Sequence, residues 1–370
     1  MKIAGIGLGA FAVLFMGGLF FLARNPEASA LFADNVLRPI FGDQRVIAFE
    51  RLVFSVQDRI SHARYSQPVA SSYQLAVATA TPHPVPARPS GSATPPEPTL
   101  PALALPVDAS NPLPSEGQWA HIAGTVLDTT FLRTDADRPY SVVNLVHIPL
   151  TKVRVAAVAG TKFPGGPAGP GRVPAAVQST GSLVAAFNGG FQEKDGHYGM
   201  VVDNVTYVPL RKGIGTIFMY QDGHVAIATY DGQPLPAAVI AARQNGPLLV
   251  AAGQDSVNIG QGIDLWAGTA SGGYVTWRSG LGITANGDLV YAVGPSLTPT
   301  ALADALRLAG SVNAIQLDIN DFWVRFMIYQ QNPSGGYTWS TLVKGLADGG
   351  KQYLNGYEKD FFYVYTKSAS

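Results

Sequence analysis

Apolar positions along this 370-residue chain fall into three regimes. The first is the uncharged run IAGIGLGAFAVLFMGGLFFLA, 21 residues between Lys2 and Arg24. At 1.5 Å per residue it is long enough to cross a hydrocarbon core of about 30 Å. A secretory signal has a shorter apolar region of roughly 7–15 residues, so residues 1–24 are read as an uncleaved transmembrane anchor. Ala28-Ser29-Ala30 leaves open a cleaved signal instead. The anchor predicts a single-pass membrane protein with a cytoplasmic N-terminus and an extracytoplasmic C-terminal domain. In the second regime Phe49, Leu52, Val53, Val56 and Ile60 recur at helical spacing, predicting an amphipathic helix within a juxtamembrane segment, residues 25–65. That stripe is either a packing face or a surface for lipid or a partner. Residues 66–116 then lose all periodicity and fill with Pro, Ala, Ser and Thr, the composition of a disordered, semi-rigid spacer.

The third regime, 117–370, carries short β-type runs: 141–148, 152–160, 182–190, 200–208, 215–230, 280–294 and 361–367. Gln221-Asp222-Gly223-His224 and Ala285-Asn286-Gly287-Asp288 are hairpin turns between two such runs. One helix interrupts them at 299–309, with Thr298 as N-cap, Pro299 in the first turn and Gly310 as stop. The strand 313–319 follows. Helix-then-strand order within a hairpin-rich chain predicts an α+β fold with few helices and mixed strand pairing.

Composition narrows the function. Charged residues make up 14%, against about 25% in ordinary globular proteins. Gly and Pro together reach 41 + 27 = 68 residues, which excludes a coiled coil or helical bundle. The 25 basic and 25 acidic residues cancel, so nothing favours nucleic acid as a partner. With no cysteine, disulfides, Cys–zinc sites and thiol nucleophiles are excluded.

Three places combine a polar side chain, a strand end and small residues. In Phe187-Asn188-Gly189-Gly190-Phe191 the glycines permit a sharp turn or close approach to a ligand. Arg278, in Trp277-Arg278-Ser279-Gly280-Leu281-Gly282, suits a planar anion or a structural salt bridge. Alternation at 317–323 places Asp318 and Asn320 on one face, suited to cation binding, hydroxyl orientation, acid/base work or plain turn chemistry. His121, His147, His197 and His224 show no HxH or HExxH spacing, and His197 alone stands near a candidate loop. No GxSxG, P-loop or GxGxxG-to-helix unit occurs, so no nucleotide cofactor is expected.

Taken in order, these blocks resemble the phosphodiester glycosidase family. Asn188-Gly189-Gly190-Phe191 resembles its N-G-G-F block, and Gln244-Asn245-Gly246-Pro247-Leu248-Leu249-Val250 its G-P-x-L-x block. Arg278-Ser279-Gly280-Leu281-Gly282 with Asn286-Gly287 resembles its R-[ST]-x-x-G…D-G block. The helix 299–309 and Ala314 to Asp318 lead where the family has L-D-G-G-G-S. Here the sequence departs, with Asp318-Ile319-Asn320-Asp321-Phe322-Trp323 in place of the glycines and serine. The resemblance implies hydrolysis of a sugar-1-phosphodiester of an envelope or extracellular glycan. It makes Asp318 the general acid/base or nucleophile, Arg278 the phosphate ligand, and Asn188 an orienting amide. Gly189, Gly190, Asn320, Asp321, His197 and Asn245 are then substrate-binding candidates. Ca²⁺ at Asp318, Asn320 and Asp321 is the single cofactor candidate. The rival reading is a non-catalytic glycan- or partner-binding envelope protein in which Phe322 and Trp323 stack on sugars.

Overall fold

The computed structural model describes residues 100–257 and 275–367, with Ile40, Arg59, Ile60 and Ala63 as isolated helical positions. The anchor, nearly all of the juxtamembrane helix and the spacer up to residue 99 lie outside the described residues. Among the described residues, no helix is long and apolar enough to cross a membrane.

In chain order the strands are β1 (Ala120–His121), β2 (Asp128–Leu132), β3 (Val143–Ile148), β4 (Val153–Val158), β5 (Leu183–Asn188) and β6 (Met200–Val202). There follow β7 (Val205–Val208), β8 (Gly215–Tyr220), β9 (Val225–Thr229), β10 (Val239–Gln244), β11 (Leu248–Ala251) and β12 (Gln254–Asp255). The last are β13 (Thr276–Thr284), β14 (Leu289–Leu297), β15 (Ser311–Ile319), β16 (Phe326–Gln331), β17 (Tyr337–Thr341) and β18 (Phe361–Thr366). Among the residues described from 100 onward the α-helices are α1 (Ala175–Ser179), α2 (Pro299–Leu308) and α3 (Gly350–Asn355). The strands form an eight-stranded sheet ordered β1-β2-β3-β14-β13-β15-β11-β12, a five-stranded sheet β7-β6-β10-β8-β9, and another β17-β16-β5-β18-β4.

The α+β expectation holds in its coarse form, mostly sheet with few helices. Mixed pairing does not: every pairing among the described strands is antiparallel. The reason lies in the β14–α2–β15 crossover. It does join two strands of the same direction, but β13 sits between them and pairs antiparallel with both. Both glycine turns close hairpins as expected, β8 with β9 and β13 with β14. The run 200–208 is itself a hairpin, β6 with β7, turned by Asp203 and Asn204 at φ +49° and +64°. These residue types tolerate the left-handed conformation, so the run expected as one strand folds back on itself.

One apolar cluster joins inner faces of all three sheets, through Val146, Leu281, Tyr291 and Leu317 of the first, Ile217 and Ala241 of the second, and Phe187, Phe326 and Phe362 of the third. The opposite face of the eight-stranded sheet is covered by α2, whose Ala301, Leu302, Ala305 and Leu306 pack on Leu145, Val250, Ala292 and Ala314. Tyr353 of α3 lies with Ala186, Met327 and Phe361 on the other side of the third sheet. The central strands are therefore buried on both faces, which explains near-continuous apolar runs such as LVAAF and LVYAV.

The Thr298 side chain accepts a hydrogen bond from Ala301 N at 3.1 Å and caps α2. Thr298→Ala is expected to cost about 1 kcal/mol, read as a lower urea midpoint at unchanged slope.

The packed domain reaches back beyond the expected boundary at 117. Leu103 and Leu105 pack beside α2's cluster. Glu116 forms a buried two-oxygen pair with Arg133, at 3.0 Å to Nε and 2.7 Å to Nη2. The Pro-rich stretch therefore ends as a packed strap from about Leu103.

On the eight-stranded sheet, His147 lies between two carboxylates, with Nε2 3.1 Å from Asp288 and Nδ1 3.8 Å from Asp128. Burial opposes its charge, but the two carboxylates outweigh that and push its pKa to about 9. A raised histidine pKa means the stabilisation is complete below the unfolded value near 6.5 and lost as pH rises through 9. Thermal melts between about pH 6 and pH 10 should show this loss, roughly 2–3 kcal/mol, and His147→Gln should abolish the slope.

Candidate active site

Strand ends from all three sheets converge on one buried polar centre. β5 ends in Asn188 and β15 carries Asp318 near its end. β18 begins just after Lys359 and Asp360, and β10 brings Arg243 and Gln244. β13 contributes Arg278 and Ser279, and β14 contributes Tyr291.

Asn188 stitches the first sheet to the third. Its amide nitrogen donates to Ser279 Oγ at 2.9 Å and to the Gly189 carbonyl at 3.0 Å. Its oxygen accepts from the Tyr291 hydroxyl at 2.9 Å and from Arg325 N at 3.1 Å. Burial pushes the Tyr291 pKa well above its usual value, so the phenol stays protonated and donates. Ser279 Oγ in turn donates to the Asp318 carbonyl at 3.1 Å and accepts from Asp318 N at 3.2 Å. Asn188, Ser279 and Asp318 are thus one chain of contacts.

The Asp318 carboxyl is 2% exposed. One oxygen accepts from Ile319 N at 2.9 Å, and the other takes the Lys359 ammonium. Burial raises its pKa; the charge and hydrogen bond of Lys359 and the Ile319 amide pull it back, Asp360 adds to the rise, and it settles at about 6. Beside it, Asp360 is clasped by Arg243, Nε to Oδ2 at 2.8 Å and Nη2 to Oδ1 at 3.2 Å. This pair is sealed, with both side chains 1% exposed.

The two glycines follow from that seal. A Cβ on Gly189 would stand 2.0 Å from Asp360 Oδ2, and one on Gly190 would stand 2.6 Å from Asn245 Oδ1. Gly190 N donates to Asp360 Oδ2 at 3.2 Å. Asn245 accepts from Phe191 N at 2.8 Å and donates to the carbonyls of Gln316 and Leu317, both at 2.7 Å, tying the Asn-Gly-Gly loop to the strand that carries Asp318.

The other expected residues sit differently. Arg278 is 1% exposed and donates to the Leu297 carbonyl at 2.9 Å and to Gln316 Oε1 at 2.8 Å. Alternation stops at Ile319, because Asn320 adopts φ +71° and bonds backward, its N to the Trp277 carbonyl and its Oδ1 from Thr276. Asp321 is largely buried, which raises its pKa, and it shares no described bond with Asp318. His197 lies outside the centre, its side chain 70% exposed and 3.9 Å from Glu193. The Ca²⁺ candidate does not fit this arrangement. Asp318 is engaged by an ammonium and Asn320 by Thr276, and among the described residues no three His, Asp or Glu side chains gather for a metal. Phe322 is buried, and Lys359 Nζ lies 4.2 Å from the centroid of the Trp323 ring.

Sequence reasoning passed over Arg243 and Arg325, and it gave Lys359 and Asp360 only a structural place beside a closing strand, which is β18. The available signal was charge embedded in apolar strand sequence, as in VIAARQ, WVRFMIY and KDFFYVY, since charges in a strand buried on both faces must be paired.

The fold and centre define an α+β domain, antiparallel throughout its described strands, whose centre holds two buried carboxylates, one held by a lysine and one by an arginine. Residues 181–318 match the family model described as phosphodiester glycosidase. The match takes in Asn188, Arg243, Asn245, Arg278 and Asp318 and stops before Lys359 and Asp360. No curated protein matches. Among solved structures, the chain is similar to the zebrafish N-acetylglucosamine-1-phosphodiester alpha-N-acetylglucosaminidase catalytic domain auto-inhibited by its pro-peptide. Identity there is 16% over 67% of this chain and 86% of that one, with a TM-score of 0.41. It is also similar to a hypothetical protein from Synechocystis, at 12% identity over 68% of this chain and 61% of that one, TM-score 0.34.

Proposed function

We propose that the C-terminal domain hydrolyses sugar-1-phosphodiester linkages of envelope or extracellular glycans, held outside the cytoplasm by the N-terminal anchor. The observation that carries this reading is Asp318, a buried carboxyl with a pKa near 6 inside the family-matched stretch. In the reaction the oxygen of water bonds to the anomeric carbon as the bond to the phosphate oxygen breaks. The phosphomonoester leaves with the electron pair and the water proton passes to Asp318. A phosphomonoester is a weakly basic leaving group, so the side that needs help is the water, and Asp318 acts as base. Asn188 and Ser279 fix the strand on which it stands.

The test is release of reducing sugar from a panel of sugar-1-phosphodiesters by the full-length protein, against Asp318→Asn. Release by wild type that is absent from the variant supports the reading; no release from any substrate by folded protein overturns it. A second reading, a glycan-binding protein without turnover, draws on Asp318 being already satisfied by Lys359 and on the lost glycine loop. It requires glycan binding that Asp318→Asn leaves intact.

A further inference from the structure

The cations of the centre are not equivalent. Arg243 is held by Asp360 and by the carbonyls of Gln244 at 2.7 Å and Phe191 at 2.6 Å. Arg278 is held by Leu297 and Gln316. Arg325 donates to the Phe322 carbonyl and to Gln352, and its guanidinium lies 4.7 Å from the Tyr357 ring centroid. Each guanidinium is thus fixed by several groups of the fold. Lys359 has two described partners, the Asp318 carboxylate and the face of Trp323. An ammonium carries three donors, and an aromatic face is a weak partner for one of them. Lysine is also a compact charge on a flexible stem, able to change partners where a forked guanidinium is committed. Of the residues touching this pair, Ser279 and Ile319 are buried and Trp323 is half-buried, so the indole is the one of them nearest solvent.

We propose that Lys359 is the phosphate-recognising group of this site. Its ammonium rests on Asp318, and it transfers to a phosphodiester oxygen when the substrate displaces the indole of Trp323. The assignment rests on the hydrolase reading above and extends it. The exchange frees Asp318 as substrate arrives and makes it a stronger base. Of the other groups around Asp318, Asp360 stays clasped by Arg243, and Tyr291, Tyr353 and Tyr357 stay neutral because burial raises their pKa values.

The experiment titrates full-length protein with inorganic phosphate, by calorimetry and by tryptophan emission. It compares wild type, Asp318→Asn, Lys359→Met, the double variant and Trp323→Phe. Removing the competing carboxylate should tighten phosphate binding about tenfold in Asp318→Asn, equivalent to about 1.4 kcal/mol. Lys359→Met should abolish binding. Because that variant leaves Asp318 buried and unpaired and is at risk of misfolding, the neutral double variant carries the same test and should bind none. Trp323→Phe should bind phosphate but lose the emission change. Equal or weaker binding by Asp318→Asn, or binding by the double variant, overturns the assignment. Phosphate binding with the expected signs but no turnover of any sugar-1-phosphodiester supports Lys359 and refutes the hydrolase reading. Turnover by Lys359→Met with an unchanged KM does the reverse.

Discussion

Asp318→Asn is expected to lower kcat by about 10²–10⁴, since the amide keeps the shape of the carboxyl but cannot accept the water proton. In wild type, kcat/KM should rise with pH to a plateau, with its midpoint at the Asp318 pKa of about 6. The sign follows from the role, because a base works only when ionised. kcat/KM reports the free protein, in which Lys359 faces Asp318. kcat reports the bound complex, where Lys359 has moved to phosphate, so its limb should lie at higher pH. Initial rates of sugar release between about pH 4 and pH 9 check both limbs. A limb that falls through pH 6 would make Asp318 an acid instead, and an unchanged rate in Asp318→Asn would remove it from the chemistry. Ionising this carboxyl also opposes folding. Its pKa is raised above the ordinary 3.8, so the native state holds the extra proton between that value and 6, and stability declines across the same window.

The largest stability effect is expected at the Arg243–Asp360 pair. Asp360→Ala leaves a guanidinium 1% exposed with only carbonyl partners, and Arg243→Met leaves an equally buried carboxylate whose remaining described donor is Gly190 N. Breaking a buried pair from one side costs about 3–5 kcal/mol. For a domain of this size that lowers Tm on the order of 10 °C. Replacing both charges together with apolar residues should recover much of the loss, because no buried charge is then left alone. Urea melts of the two single variants and the double variant measure this. Single-variant losses below about 1 kcal/mol would mean the pair contributes little to stability. Asp360→Ala should also lower the pH midpoint at Asp318, because the Asp360 charge helps to raise it.

Much of the fold was legible because its signals are local. Thr298-Pro299 and Gly310 bracket α2 through capping and left-handed backbone, which need only neighbours in sequence. Asn286-Gly287 and Gln221-Asp222-Gly223-His224 set their hairpins in the same way. Asn188, Asn245 and Asp318 were picked out by their blocks, and the fold brings them to one centre, while the Arg278 guanidinium turns to Leu297 and Gln316. Asn320 was misjudged because period-two alternation is a property of extended backbone, and the strand ends one residue earlier.

By itself, then, the sequence determined many of the strands, the two glycine-turned hairpins, the helix α2 and the absence of thiol chemistry, and it singled out Asp318 as a candidate. Tertiary structure alone decided the partners. Asp318 meets Lys359 across 41 residues, and Arg243 meets Asp360 across 117. It also decided that β13 slots between β14 and β15, and that Gly189 and Gly190 are small to admit Asp360 and Asn245. Alternation tells which face of a strand a residue takes. Which charge waits on the facing strand depends on how three sheets close over one apolar core, and that is a property of the whole chain.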